Sequence, residues 1–103
     1  MARKITTDAI NAFMSARTFN RDNTSVEVRP FKDEKVDSVI LKLHGNVIAR
    51  RLVGSSTIEV CDGNYPSNTT KERLNGLPGV SVCQRKGVWF LNGEEWDGSW
   101  ATV

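Results

Sequence analysis

The residues that could do chemistry in this chain are one histidine, two cysteines and a pair of neighbouring acids. His44 with Cys61 or Cys83 could form a nucleophilic pair, but that chemistry needs an acid to orient the imidazole, and no motif supplies one. One histidine and two widely separated cysteines also lack the ligand spacing of a metal site. The sequence therefore predicts neither nucleophilic catalysis nor a bound metal.

The neighbouring acids are Glu94 and Glu95. In a strand their side chains would point to opposite faces, which disfavours paired acid–base catalysis. No glycine-rich loop follows a predicted strand and opens a helix, so a phosphate site is not predicted either. We therefore predict a non-enzymatic protein with no cofactor.

Binding another protein is the leading hypothesis, because tryptophan is a common anchor residue at interfaces. We expect Trp89 in the core, with Trp96 near it, and Trp100 exposed. No basic residue follows Trp89, so a surface there would be acidic. A homodimer, through a self-complementary patch or a free sheet edge, is the alternative arrangement. The candidate partner-binding residues are Trp96, Trp100, Glu94, Glu95 and Asp97.

Nucleic-acid binding is the second hypothesis, because many basic residues fall on predicted hairpins or on the second helix. Against it, 12 acids nearly cancel 14 basic residues, leaving a net charge of +2, and no helix-turn-helix is visible. The candidate residues for this function are Arg50, Arg51, Lys71, Arg73, Arg85 and Lys86.

The totals describe an ordinary globular chain. Its 103 residues suffice for one core and predict a single domain over residues 1–103. Apolar residues make up 39% and charged residues 25%, a globular balance. With no membrane-length apolar run and no signal peptide, we expect a cytoplasmic protein without a membrane partner.

The first half of the chain predicts a helix followed by strands. Thr6 is the expected helix cap, and residues 18–24 read as a loop. The strand around Val26 and Val28 should lie at a sheet edge, because Pro30 follows it. The next two strands form a hairpin around His44, with a type I′ or II′ turn.

A two-residue turn fixes the pairing in that first hairpin. It would set Leu43 opposite Ile48 and Leu41 opposite Arg50, which places Arg50 on the apolar face. One further short strand, residues 57–61, completes the four strands of the first half.

The second half predicts a short helix and a tryptophan-bearing hairpin. Thr69 and Glu72 form a capping box at the helix start, and Gly76 provides a left-handed residue near its end. A turn at residues 86–87 would pair Gln84 with Trp89, and a second turn at residues 92–93 folds the chain back again. The tail, residues 99–103, is expected to fray.

Short connections between strands require antiparallel pairing. The predicted class is therefore α+β: an antiparallel sheet of five to seven strands with two short helices packed on one face, in the order α-β-β-β-β-α-β-β.

The stretch TTKERLNGLPGVSVCQRKGVWFLNGEEWDG, residues 69–98, resembles the C-terminal signature of a family of small tailed-bacteriophage proteins. Three motifs recur there: TTxxRLN, LPGV and WxLNGxxWDG. The resemblance implies a phage origin and a fold, but no activity. Together with the binding hypothesis, it suggests an accessory protein in the host cytoplasm that docks on a host or phage protein, in host takeover or defence inhibition. The matching residues are Thr69, Thr70, Arg73, Leu74, Asn75, Leu77, Pro78, Gly79, Val80, Trp89, Leu91, Asn92, Gly93, Trp96, Asp97 and Gly98.

Overall fold

The computed structural model describes residues 3–30, 37–64 and 67–103. Within these residues the chain is α+β, with two helices and antiparallel strands in the main order that the sequence predicts. The elements are α1 (Lys4–Met14), β1 (Phe19–Arg21), β2 (Thr24–Pro30), β3 (Asp37–Leu43), β4 (Asn46–Leu52), β5 (Glu59–Val60), α2 (Asn68–Leu74), β6 (Val82–Arg85), β7 (Val88–Leu91), β8 (Glu94–Glu95) and β9 (Ala101–Thr102).

In the described part of the chain the strands form two sheets instead of one. The larger has six strands in the order β1-β2-β3-β4-β5-β9, and the smaller has three in the order β6-β7-β8. The last strand returns to the larger sheet, where Thr102 pairs with Glu59 and Ala101 with Val60. The Val103 amide also donates to the Ile58 carbonyl at 2.8 Å. The tail that we expected to fray therefore forms an edge strand.

Helix α1 buries the face that its apolar spacing predicts, but it begins before the predicted cap residue Thr6. Arg3 is the N-cap, so the prediction of Thr6 as the cap is wrong. Thr6 is fully buried inside the helix, and its hydroxyl is used for contacts with α2. Ala9, Ile10 and Phe13 pack into the core under the six-stranded sheet.

Strand β2 is not an edge strand along its whole length. Residues 18–24, predicted as a loop, include the short strand β1, which pairs Phe19 with Val26. Because β1 covers only the start of β2, the Pro30 end extends past it. A proline, which lacks an N–H, is tolerated where no neighbouring strand needs that donor.

The β3–β4 hairpin has a type I′ turn, with φ of 53° at His44 and 80° at Gly45. Because His44 and Gly45 are the two turn residues, Leu43 pairs with Asn46, two residues before the predicted partner Ile48. A bulge after Leu41 then reduces the difference from the predicted register to one residue. Leu41 pairs with Ala49 and Ile40 with Arg50. Arg50 consequently points away from the core and is exposed.

Helix α2 begins with a different cap from the predicted one. The Ser67 hydroxyl accepts a hydrogen bond from the Thr70 amide at 3.2 Å, so the capping box of Thr69 and Glu72 is wrong. The expected left-handed residue after the helix is also absent at Gly76, since its φ is not positive. Gly76 instead lets α1 and α2 come close together: a Cβ there would lie 2.6 Å from Thr6 Cγ2.

Substitution of Gly76 by alanine should therefore destabilise the fold. The added methyl group has to displace Thr6 and Ile10, which costs about 1–3 kcal/mol for overpacking. Urea denaturation followed by circular dichroism would measure this cost, with exposed Ser56→Ala as the control. An unchanged midpoint for Gly76→Ala would show that the helices are not closely packed here.

The second hairpin follows the prediction closely. Gln84 pairs with Trp89 and Val82 with Leu91, and the β8 strand folds back on β7. The rings of Trp89 and Trp96 lie 6.2 Å apart, as the second turn predicts.

Two asparagine side chains fasten this hairpin to the preceding turn. The Asn75 amide accepts from the Val82 N–H at 2.6 Å and donates to the Val82 carbonyl at 2.9 Å, so it completes the outer edge of β6 at this point. Asn92 accepts from the Ser81 amide at 2.8 Å and donates to the Gly79 carbonyl at 3.2 Å. Both asparagines of the motif stretch thus have structural roles.

Candidate functional site

The face of the six-stranded sheet that points away from the core is the candidate site, and we call it the open face. One row of residues crosses five strands: Glu27 pairs with Ile40, Ile40 with Arg50, Arg50 with Glu59, and Glu59 with Thr102. Each residue of this row is at least partly exposed, whereas the adjacent residues on the other face form the core. The buried neighbours include Val26, Val39, Leu41, Ala49 and Val60.

Arg50, Glu59 and Trp100 meet near the middle of this face, and we call them the Arg50–Trp100 cluster. Arg50 Nε donates to Glu59 Oε1 at 3.0 Å. The guanidinium carbon of Arg50 lies 3.8 Å from the centroid of the Trp100 ring, a cation–π contact. Trp100 remains 39% exposed, so the cluster presents a large aromatic surface to solvent.

A groove of about 550 Å³ lies beside the cluster. It lies beside the segment 53–57, which connects β4 to β5 and contributes Ser55 and Thr57 to its lining. We call this feature the groove. Its lining combines two aliphatic side chains, three hydroxyls and three charged residues: Ile40, Leu52, Ser38, Ser55, Thr57, Arg50, Arg51 and Glu59.

A second group of charges on the open face surrounds Glu27. Its carboxylate contacts Lys42 Nζ at 2.5 Å and accepts from Arg29 Nε at 2.9 Å. The hydrogen bond from Lys42, followed by that from Arg29, holds the pKa of Glu27 below its ordinary value of 4.5. Lys42 and Arg29 therefore share Glu27 as their ion-pair partner.

The lowered pKa gives Glu27 a pH-dependent contribution to stability. The contribution is present above the ordinary pKa of 4.5 and is lost as the pH falls through the lower pKa of the folded state. Glu27→Gln should therefore reduce stability slightly at neutral pH, and the difference from the wild type should vanish in acid. Urea midpoints measured across that pH range test this expectation; a difference that grows in acid would contradict it.

Two of the six candidate nucleic-acid residues are used inside the fold. Arg73 is 2% exposed and is hydrogen-bonded to Thr6 and Thr24, so it cannot reach a phosphate. Arg51 donates to the carbonyls of Phe13 and Met14 at 2.8 Å, where it caps the C-terminal end of α1. Arg73 and Arg51, predicted as candidate nucleic-acid contacts, therefore have structural roles instead.

The other four do not converge on one surface. Arg50 belongs to the open face, whereas Arg85 and Lys86 lie at the exposed end of the β6–β7 hairpin in the other sheet. Lys71 donates to Gln84 Oε1 at 2.8 Å and lies 5.5 Å from the Trp89 ring centroid. A continuous basic stripe is not formed by these residues.

The candidate protein-binding residues are also separated. Trp96 is only 9% exposed, and its Nε1 donates to the Ser99 carbonyl at 2.9 Å, so it is a core residue and not a contact residue. Glu94 and Glu95 are exposed on β8 of the smaller sheet. Trp100 is exposed, as predicted, but it lies against Arg50 of the larger sheet.

Asp97 organises the turn between the two sheets. Its Oδ1 accepts from the Ser99 amide at 3.0 Å and from the Ser99 hydroxyl at 2.6 Å, and these bonds lower its pKa. The next residue, Gly98, has φ of 88° and packs so closely on Asp62 that a Cβ would overlap the carboxylate. This turn directs the chain back to β5 and sets the position of Trp100.

The histidine and the two cysteines considered for catalysis lie in different parts of the fold. His44 lies in the exposed β3–β4 turn. Cys61 is buried and its thiol donates to the Val47 carbonyl at 3.1 Å; desolvation raises the pKa of this thiol. Cys83 is exposed on β6.

The Arg50–Trp100 cluster could not be predicted from the sequence, because it depends on two structural features that local residue patterns do not show. Arg50 reaches the open face only through the bulge in the β3–β4 ladder, and Trp100 reaches Arg50 only when β9 pairs with β5. The apolar run Val47-Ile48-Ala49 before Arg50 permits more than one register, so the local sequence contained no signal for the bulge.

Neither helix in the described part of the chain is long and apolar enough to cross a membrane. Searches of curated proteins and of solved structures gave no match. The model of the Kyanoviridae Gp96 protein family matches residues 2–102, which is nearly the whole chain. The chain therefore belongs to the Kyanoviridae Gp96 protein family, a family of phage proteins.

Proposed function

We propose that this phage protein is a non-enzymatic accessory module that docks on a host protein through its open face. The Arg50–Trp100 cluster is the main contact. The observation that carries the proposal is an exposed tryptophan stacked on an arginine beside a groove. Tryptophan and arginine are the residues most enriched among those that dominate binding energy at protein interfaces.

The cluster is already ordered before a partner arrives. Arg50 is held by Glu59 and by the Trp100 ring, and Trp100 precedes the paired strand β9. Side chains fixed in this way lose less conformational entropy on binding, which favours affinity. In a cell infected by the phage, such a surface suits contact with a host factor, as in host takeover or defence inhibition.

Nucleic-acid binding is the second candidate function, supported by the exposed Arg85 and Lys86 at the end of the β6–β7 hairpin. It is less well supported, because Arg73 and Arg51 are engaged inside the fold and the exposed basic residues lie on separate surfaces.

Affinity capture from a host-cell lysate tests the proposal. The wild-type protein, Trp100→Ala and the control Glu95→Ala would each be immobilised after circular dichroism has shown that they fold alike. We expect a defined host protein whose recovery falls at least about tenfold with Trp100→Ala and is unchanged with Glu95→Ala.

Three results would contradict the proposal. One is equal capture of the partner by Trp100→Ala. Another is capture that disappears after nuclease treatment, which would favour nucleic acid. The third is self-association through Trp100 with no host protein bound, which light scattering would detect as a homodimer.

A further inference from the structure

We infer that the groove and the Arg50–Trp100 cluster recognise an acidic, extended segment of the partner protein, with a carboxylate next to a large apolar side chain. This inference rests on the proposed function and specifies the chemistry of its partner.

The carboxylate would bind the free end of Arg50. Among the described residues, Arg50 uses only Nε in its bond to Glu59, so its two terminal nitrogens remain without a hydrogen-bond partner. The side chain is 45% exposed and is held in place by Trp100. A carboxylate can accept from both terminal nitrogens at once, which is the strong bidentate geometry that arginine favours.

Charge on the groove lining favours an acid over a base. The lining contains one acid, Glu59, and two arginines, of which Arg51 is engaged with the carbonyls at the end of α1, so Arg50 supplies the accessible cation. That acid is already paired with Arg50. A lysine or arginine in the partner would find no unpaired carboxylate among the lining residues, whereas an acid finds the open end of Arg50.

The apolar part of the segment would enter the groove beside this contact. Ile40 and Leu52 provide aliphatic surface, and the hydroxyls of Ser38, Ser55 and Thr57 lie around it. A volume of about 550 Å³ accommodates a large side chain together with its neighbouring backbone. An extended protein segment fits this combination better than a nucleic acid, whose backbone is charged at every phosphate.

A nuclear magnetic resonance titration tests the inference with defined probes. The ¹⁵N-labelled protein would receive a capped pentapeptide of phenylalanine flanked by glutamates, the same peptide with lysines, and a short oligothymidylate. We expect the glutamate peptide to shift the amides of Leu52, Ser55 and Thr57 and to bind about tenfold more tightly than the lysine peptide. Arg50→Gln should remove this preference, and the control Arg85→Gln should keep it.

Other outcomes would overturn the inference. These are equal or tighter binding of the lysine peptide, a stronger effect of the oligothymidylate on the same amides, or no shift at the groove with any probe. If one of these occurs while lysate capture still depends on Trp100, the proposed function stands and only the chemistry assigned to the partner is wrong.

Discussion

Replacing Arg73 by methionine is expected to lower the free energy of unfolding by about 2–4 kcal/mol, because the buried guanidinium donates to two buried threonines and to the half-buried Glu72. Arg73 donates to Thr24 Oγ1 at 2.9 Å and to Thr6 Oγ1 at 2.8 Å, and it forms an ion pair with Glu72. It therefore joins α2 to α1 and to the start of β2. Methionine has a similar side-chain volume, but it leaves the two threonine hydroxyls and the Glu72 carboxylate without the donor that Arg73 provides.

Urea denaturation would measure the loss, with Arg85→Met as the matched control. Arg85 is exposed, so its substitution should change stability by no more than about 0.5 kcal/mol. Since a domain of this size is stable by about 5–15 kcal/mol, the same titration would also reveal any fraction of Arg73→Met that is unfolded before urea is added. Equal midpoints for the two variants would contradict the assigned role of Arg73.

Replacing Trp96 by alanine is expected to cost about 3–5 kcal/mol, as for other large buried aromatic residues. Trp96 packs against Trp89 and closes the turn through its bond to Ser99. Trp100→Ala removes an exposed ring and one cation–π contact, so it should cost only about 1 kcal/mol.

Thermal and urea unfolding of the two tryptophan variants would separate their roles. The expected result is a large loss of stability for Trp96→Ala and a near-wild-type curve for Trp100→Ala. The reverse order of stabilities would mean that the ring assigned to the partner holds the fold together, and the proposed contact surface would then be wrong.

The parts of the fold that follow from local signals could be predicted from sequence. The β6–β7 hairpin is one example, because residues 86–87 adopt the left-handed conformations of a type I′ turn and so fix its register. The β3–β4 hairpin has a similar turn, but the bulge after Leu41 shifts its pairing. An apolar run from Val47 to Ala49 gives no alternation that would reveal such a bulge.

The helix caps could not be chosen from local sequence, because tertiary contacts compete for the same side chains. Ser67 and Thr69 are both good cap residues, and Glu72 would complete a capping box with Thr69. In the fold Glu72 instead accepts from the Thr6 hydroxyl at 2.5 Å and pairs with Arg73. These partners are distant in sequence, so the local motif gave the wrong cap.

The candidate site was predicted only in part, for the same reason. Trp100 was expected to be exposed, yet its contact with Arg50 depends on the pairing of β9 with β5. The motif residues Arg73, Asn75 and Trp96 hold helices, strands and turns together. The most distinctive stretch of the sequence therefore describes packing, and the candidate binding surface lies mainly outside it.

Site-specific photo-crosslinking in the host cell tests the proposed binding surface most directly. A photoreactive amino acid would replace Thr57, which lines the groove, or Glu95, which is exposed on the smaller sheet. The proposal predicts that a host protein is crosslinked from position 57 and not from position 95, and that Trp100→Ala abolishes the product. A crosslink from position 95 alone would contradict it and assign binding to the acidic surface of the smaller sheet.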